Sequence, residues 1–486
     1  MSADAWKEYR QALPTTVADT ERARLLEEYE PLTKERLDLG RYAGTLPRAE
    51  EPVYRWVRYK EAYSPRLVRD VLDELLPDPL VRQGGTGPLV YDPMVGSGTT
   101  LLVAAERGFR ALGADLMPYA TFLSSAMARW RQADPALIRQ IATDVLSNYT
   151  SMPGRARLDV PAAGWAFAPV AARTITRVLD ALDLVPAGPD RDLVRLAVLS
   201  AVEQVSYSVK DGTSLRRRLP GGLARPGRPG QQRKTMKAAD VITSVRQRVG
   251  AIVEDLEKLC PASGRVPGQI SLPSGDEGPP LCPPPIAVVH ADAREWRPAP
   301  ESCGAVVFSP PYPNRYDYSA IYQLELVVGR FVPDAGGLKC VRRQLLRSHL
   351  EAPPRTHYRI SQPALREFLA AVNGSRGKGD ESGRVLRMVA GFFEDMADVL
   401  WHVAEALRPG ASAAVVVGTQ TYLGQHLPTD LLLAELGRSA GLEAQALWVV
   451  RSKGVASQQR GLATPASRES VLILRKPPSQ DRPVTW

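Results

Sequence analysis

PLVYDPMVGSGTTLLVAAERGFRALGADLMP, residues 88–118, decides the fold. PLVYDP (88–93) reads as a short buried strand stopped by Pro93, and GSGTTLLVAAERGF (96–109) as a glycine turn opening a helix. ALGADLMP (111–118) is a second strand with Asp115 at its C-terminal end. Strand, turn, helix and strand in that order open a doubly wound α/β sheet. The glycines allow a tight turn and close backbone approach to a ligand, and the helix N-terminus offers unpaired N–H groups. Asp115 lies 23 residues after Asp92, where an acidic side chain can accept hydrogen bonds from ribose hydroxyls. No Gly-Lys-Ser/Thr follows the turn, so it is not a P-loop, and it lacks the G-x-G-x-x-G form expected for NAD. A carboxylate at Asp92 suits a ligand with a cationic amine better than a pyrophosphate.

Outward from this stretch, EEPVYRWVRYKEAYSPRLVRDVLDELL (51–77) is an aromatic-basic segment followed by an amphipathic helix, with Ser64 as N-cap and Pro65 at its first position. Residues 119–258 read as mostly helical from their 3.6-residue apolar spacing. A loop rich in Gly, Pro and Arg, DGTSLRRRLPGGLARPGRPGQQRK (211–234), splits them, and residues 261–285 are a Pro- and Gly-rich linker. The α/β pattern resumes with IAVVHAD (286–292) and GAVVFSPP (304–311). A helix over 392–410, a strand over 412–419, a helix over 429–441 and two closing strands, ALWVVRSK (446–453) and ESVLILRK (469–476), complete it.

SPPY (Ser309–Tyr312) follows the strand GAVVF. Two successive prolines fix the backbone and take the Pro310 carbonyl out of regular pairing. A hydroxyl and a rigid carbonyl both accept hydrogen bonds from an exocyclic NH₂, and Tyr312 offers a face on which a base stacks. Such a site turns an amine lone pair toward an electrophile, which is catalysis by positioning.

These residues resemble the S-adenosylmethionine-dependent amino-methyltransferases of DNA, which modify cytosine N4 or adenine N6. Asp92-Pro93-Met94-Val95-Gly96-Ser97-Gly98-Thr99-Thr100 is similar to that family's motif I, with Met94 in place of the common Phe. Asp115 resembles the motif II acid on the ribose. Asp292, in HADAREW, resembles the motif III residue near the adenine amine. Ser309-Pro310-Pro311-Tyr312 resembles motif IV. RYKEAYSPRLV (58–68), with Tyr59, Lys60 and Tyr63, resembles motif X, which helps to hold the methionine end of the cofactor. The S-P-P-Y form leans toward cytosine N4. Motif I precedes motif IV, and the long insert between them is similar to the class that places target recognition there.

The resemblance implies a doubly wound, Rossmann-like α/β methyltransferase sheet with a large, mainly helical insertion. The expected organisation is an N-terminal helical extension over 1–50 and a first part of the methyltransferase domain over 51–125. A helical insertion with a basic loop follows over 126–285, a candidate for target recognition. The second part spans 286–486 and carries an irregular insertion over 331–385. The implied reaction is direct methyl transfer to a flipped-out base, with no metal. Ser309 and the Pro310 carbonyl hold the amine, and Tyr312 stacks on the ring. Cytosine-N4 methylation is favoured over adenine-N6. An RNA base methyltransferase and a nucleic-acid-binding subunit of a restriction or phage-defence assembly stay open.

Lys plus Arg is 62 and Asp plus Glu is 53, a formal net charge of +9. This balance favours a polyanionic partner, expected to be double-stranded DNA, with other restriction or defence subunits as further candidates. Lys210, Arg216, Arg217, Arg218, Arg233 and Lys234 lie in the basic stretch of the insert and are candidates to neutralise phosphates. Arg315, beside Asn314, Tyr316 and Asp317, and Arg347, in VRRQLLRSH with Arg342, Arg343 and His349, are candidates to line the target-base pocket. The 44% hydrophobic and 24% charged composition is that of a globular chain. The four cysteines contain no C-x-x-C pair, so neither zinc nor a disulfide framework is expected. The N-terminus has no signal-like apolar region and no run of 18 apolar residues occurs, so a cytoplasmic location without membrane contact is expected.

Overall fold

The computed structural model describes residues 20–43, 51–77, 87–155, 163–211, 214–217, 236–259, 285–355, 357–360, 362–374, 381–453 and 467–478. Twelve strands occur among them: β1 (Thr33–Glu35), β2 (Leu89–Asp92), β3 (Arg110–Asp115), β4 (Ser208–Asp211), β5 (Ser214–Arg217), β6 (Ile286–His290), β7 (Cys303–Phe308), β8 (Leu407–Gly418), β9 (Gln420–Tyr422), β10 (Gln425–Leu427), β11 (Glu443–Lys453) and β12 (Ser467–Arg475). Eight form one sheet in the order β1-β11-β12-β8-β7-β2-β3-β6. Only β12 runs against the others, paired antiparallel to both β8 and β11. The doubly wound α/β fold read from residues 88–118 is the fold observed.

The sheet is buried on both faces, as a mostly parallel sheet must be when its crossovers lay helices on each side. In β7, Ala305 and Val307 enter one apolar layer, while Val306 and Phe308 enter the other. The first layer includes Leu67, Leu72, Leu101 and Leu123, from the helices Pro65–Leu75, Thr99–Glu106 and Pro118–Ala128. The second includes Phe368, Phe392, Phe393 and Leu432, from the helices Pro363–Gly374, Glu381–Ala406 and Thr429–Ser439. Ser64 caps its helix as expected, accepting from the Arg66 N–H at 3.2 Å.

The chain winds from β2 through β3 to β6 on one side, then from β7 to β8 on the other. The order therefore reverses between β2 and β7, and the crevice beyond the carboxyl ends of these strands is where a ligand site forms in such sheets.

Several segments differ from expectation, among them the hairpin β4–β5, in a region read as helix and loop, and the start of β8 at Leu407, inside the helix expected over 392–410. Residues 33–35, expected within a helical extension, form the edge strand β1, paired parallel to β11. Residues 331–385, expected to be irregular, contain the helices Ala335–Gln344 and Pro363–Gly374. A small hairpin, β9–β10, follows β8 where no strands were expected. No helix among the described residues is long and apolar enough to cross a membrane.

Between β3 and β6 the chain forms helices over Pro135–Asn148, Pro169–Asp183, Pro189–Ala201 and Ala238–Leu259, together with the hairpin β4–β5. One carboxylate fastens these helices to the segment before Ser64. Asp255 is fully buried and accepts from the Val53 N–H at 3.3 Å, Arg55 Nε at 3.0 Å and Trp56 Nε1 at 2.8 Å. Asp255→Ala leaves these donors unpaired and is expected to cost about 3 kcal/mol, read as a lower denaturation midpoint in urea.

Candidate functional site

The turn after β2 is built by two glycines in the left-handed region, Gly96 at φ +51° and Gly98 at φ +80°. A Cβ on Gly96 would lie 3.3 Å from the Tyr59 ring, and one on Gly98 would lie 3.3 Å from Ser124 Cβ. Only glycine fits both the angle and the space. The turn is tied to the next strand: the Gly96 N–H donates to Asp115 Oδ2 at 2.9 Å and the Val95 N–H to the Ala114 carbonyl at 2.9 Å.

Asp92 sits beneath the turn and is 1% exposed. Its carboxylate accepts from the Met94 N–H at 3.0 Å and the Tyr63 hydroxyl at 3.3 Å. Burial pushes its pKa up to about 7, against the pull of those hydrogen bonds. Asp115 also accepts from the Met117 N–H at 2.8 Å, and burial raises its pKa while the Met117 and Gly96 N–H groups oppose the rise. Tyr63 also hydrogen-bonds Thr100, whose hydroxyl donates to the Val307 carbonyl of β7 at 3.3 Å.

The cavity over this turn holds about 1070 Å³ of space that opens to solvent. Tyr59, Lys60 and Tyr63 line it, as do Pro93, Gly96, Ser97 and Thr99. Asp115 and Asp292 belong to the same wall, and so do Ser309, Pro310, Pro311 and Tyr312. Asp92, Gly98 and Thr100 lie behind this lining and are buried or shape the turn. The turns after β2 and β7, far apart in sequence, thus open into one cavity. Asp292 meets it already paired with Arg294, at 2.6 Å. The structure adds lining residues that were not singled out as site candidates, Glu61 and Met94 inside the motif stretches and Met117, Tyr318 and Leu346 beside them. Their signal was a place in or beside a motif, which does not say which way a side chain points.

Tyr312 is held from two sides. Its hydroxyl donates to Glu469 Oε1 of β12 at 3.3 Å, and Gly418 of β8 lets the ring pack where a Cβ would come within 3.2 Å of it. Burial, with the Glu469 charge adding, raises the phenol well above its ordinary pKa, so the ring is a neutral apolar face.

The basic candidates divide. Arg216 and Arg217 are exposed on β5. Lys210 is instead buried in an ion pair with Glu325, with its ammonium 4.4 Å from the centre of the Tyr322 ring. Arg347 is likewise committed: its guanidinium meets Asp395 at 2.7 Å, and this fully buried carboxylate also takes Arg294 at 3.2 Å and Arg355 at 2.9 Å. A buried carboxylate and a buried ammonium need counter-charges, so Lys210 is held by Glu325 rather than presented to a phosphate, and Arg347 is held by Asp395 and is not among the residues that line the cavity. Arg315 stands at φ +74° with its guanidinium 5.3 Å from the Tyr422 ring. Arg218, Arg233 and Lys234 lie outside the described residues.

The cradle fits a nucleoside that carries a positive charge. Glycines leave room at the turn, Asp115 faces the cavity, and the buried Asp92 carboxylate gains from a nearby cation. Bound S-adenosylmethionine supplies a methyl group on a positively charged sulfur. Its affinity is expected to be about tenfold weaker at pH 6 than at pH 8, because Asp92 protonates as the pH falls through about 7. Asp92→Asn is expected to flatten that dependence in calorimetric titrations. The sign reverses for the unliganded protein. Its folded state binds the Asp92 proton more tightly than the unfolded chain, so this group's contribution to stability falls as pH rises from 3.8 to about 7.

No family model matches the chain. Its similarity to curated proteins runs almost end to end. It is 23% identical over 477 residues to the type II methyltransferase M.BsoBI of Geobacillus stearothermophilus, covering 88% of this chain and 86% of that one. It is 26% identical over 454 residues to the type II methyltransferase M.AvaI of Nostoc and of Anabaena variabilis, covering 88% and 87%. Among solved structures, the rRNA methyltransferase aviRa of Streptomyces viridochromogenes overlaps weakly, at a TM-score of 0.25 and 10% identity over 85% of this chain and 86% of that one. The glycine cradle, its acids Asp92 and Asp115 and this end-to-end similarity agree: the chain is a homologue of the type II methyltransferases and a methyltransferase that uses S-adenosylmethionine.

Proposed function

We propose that the chain methylates an exocyclic amine of a base in double-stranded DNA, with cytosine N4 as the favoured target. The observation that carries this reading is that the Ser309–Tyr312 turn and the Asp92–Thr100 turn share one cavity. Two matching chemistries meet there. One half suits a charged nucleoside. The other offers a hydroxyl, a rigid carbonyl and an aromatic face, which together suit a flat base bearing an NH₂. The Ser309 hydroxyl and the Pro310 carbonyl accept the two amine hydrogens and leave the nitrogen lone pair facing the cofactor half. Tyr312, braced by Glu469 and Gly418, holds the ring plane. Rate enhancement of this kind comes from orientation and needs no nucleophilic side chain. The type II methyltransferase relatives support a DNA target, and the S-P-P-Y form of Ser309–Tyr312 is the ground for the cytosine lean. The base must leave the duplex to reach the cavity. A cytoplasmic setting and a pairing with restriction subunits belong to the same proposal.

The test is incubation with labelled S-adenosylmethionine and duplex DNA or RNA, followed by nucleoside mass spectrometry. N4-methylcytosine in DNA is expected. N6-methyladenine would move the target base, and label confined to RNA would overturn the DNA reading. Ser309→Ala combined with Tyr312→Ala is expected to reduce transfer by about 100-fold to 1000-fold and to leave cofactor binding in place. Arg216→Gln with Arg217→Gln is expected to weaken DNA binding across all sequences and to reduce the slope of log K against log salt by about 2.

A further inference from the structure

His349 lines the same cavity as Ser309 and Tyr312 and is 2% exposed, yet neither of its ring nitrogens completes a hydrogen bond of ordinary geometry, although the Arg342 backbone is near enough to raise the ring's pKa against burial. Leaving a buried polar group unpaired costs about 1–3 kcal/mol, so such groups are rare where nothing binds. Among the described residues, His349 alone both lines the cavity and leaves buried ring nitrogens unpaired.

Its place is fixed by the surrounding backbone. The Ser348 carbonyl accepts from the Arg315 N–H at 3.2 Å, which ties this segment to the chain just after Tyr312. The His349 carbonyl accepts from the Ala352 N–H at 3.1 Å. Arg347, one residue earlier, is held by Asp395, and Arg294 bridges Asp395 to Asp292 on the cofactor wall. The charged groups around the imidazole are Asp317, Arg342 and Glu351. Arg342 pairs with Asp317 at 2.8 Å, and the Asp317 carboxylate also accepts from Ser319 at 2.6 Å. Burial lowers the His349 pKa, so at neutral pH the ring carries one N–H donor and one acceptor.

An aminopyrimidine or aminopurine carries a ring nitrogen acceptor beside its exocyclic amine. Ser309 and Pro310 address the amine and Tyr312 the ring face, which leaves that edge without a partner. We propose that His349 reads the target base, its ring N–H donating to the acceptor beside the amine. The inference rests on the amino-methylation reading above and adds the residue that recognises the base edge.

The test compares His349→Phe and His349→Gln with the wild type, using labelled S-adenosylmethionine and mixed-sequence duplex DNA. Phe keeps the ring and removes the hydrogen bond. Its kcat/KM for DNA is expected to fall by about tenfold to 100-fold with cofactor affinity unchanged. Gln restores a donor and is expected to recover most of that loss. A Phe variant as active as the wild type would overturn the inference, as would Phe and Gln variants that both lose cofactor binding. Wild-type protein that methylates neither DNA nor RNA would overturn the functional reading, and this inference with it.

Discussion

Pairing Tyr91 of β2 with Val306 of β7 sets the two strands side by side and in parallel, with their carboxyl ends on the same edge of the sheet. Every feature of the site depends on that register. The turn after Asp92 and the turn after Phe308 are separated by roughly half the chain, and no local interaction could bring them together. The sheet does so because its winding reverses between these two strands, leaving a crevice that no crossover helix covers. Thr100 reinforces the join by donating across it to the Val307 carbonyl.

The charges inside the protein follow from the same need for fixed walls. Asp255 gathers donors from Val53, Arg55 and Trp56 and so aligns the segment that delivers Tyr59 and Tyr63 to the cavity. Asp395 gathers Arg294, Arg347 and Arg355 and so aligns Leu345–His349 with Asp292. Each buried carboxylate is a poor source of net stability, because the desolvation of the ions offsets much of their attraction. What these clusters supply is position. A cavity that works by orienting two flat ligands needs walls that do not drift.

Much of this was legible in the residues. The continuous apolar run GAVVF, the Ser64-Pro65 cap and the glycines of the Asp92–Thr100 turn each carry a local physical signal, and each element formed where that signal lies. Lys210 and Arg347 were misread because a charge in a sequence looks the same whether it meets solvent or a buried carboxylate. Glu325 and Asp395, their partners, are 115 and 48 residues away. The helix Ala335–Gln344 was missed because it opens Ala-Gly-Gly, which is poor helix sequence, and is started by Asp334, whose side chain accepts from the Gly337 N–H at 2.8 Å. Strand β1 was missed because three polar residues show no period. Its place is set by the exposed edge of β11, which it covers.

The central claim is that the glycine turn after β2 is the floor of the cofactor site. The most direct measurement is calorimetric titration of S-adenosylmethionine into the wild type and into Gly96→Val, with circular dichroism as the check on folding. The valine would place its branches against the Tyr59 ring at a backbone angle that only glycine adopts freely. Binding to the wild type and its loss in a folded Gly96→Val protein is the expected result. Equal binding by both proteins would contradict the claim and put the cofactor elsewhere.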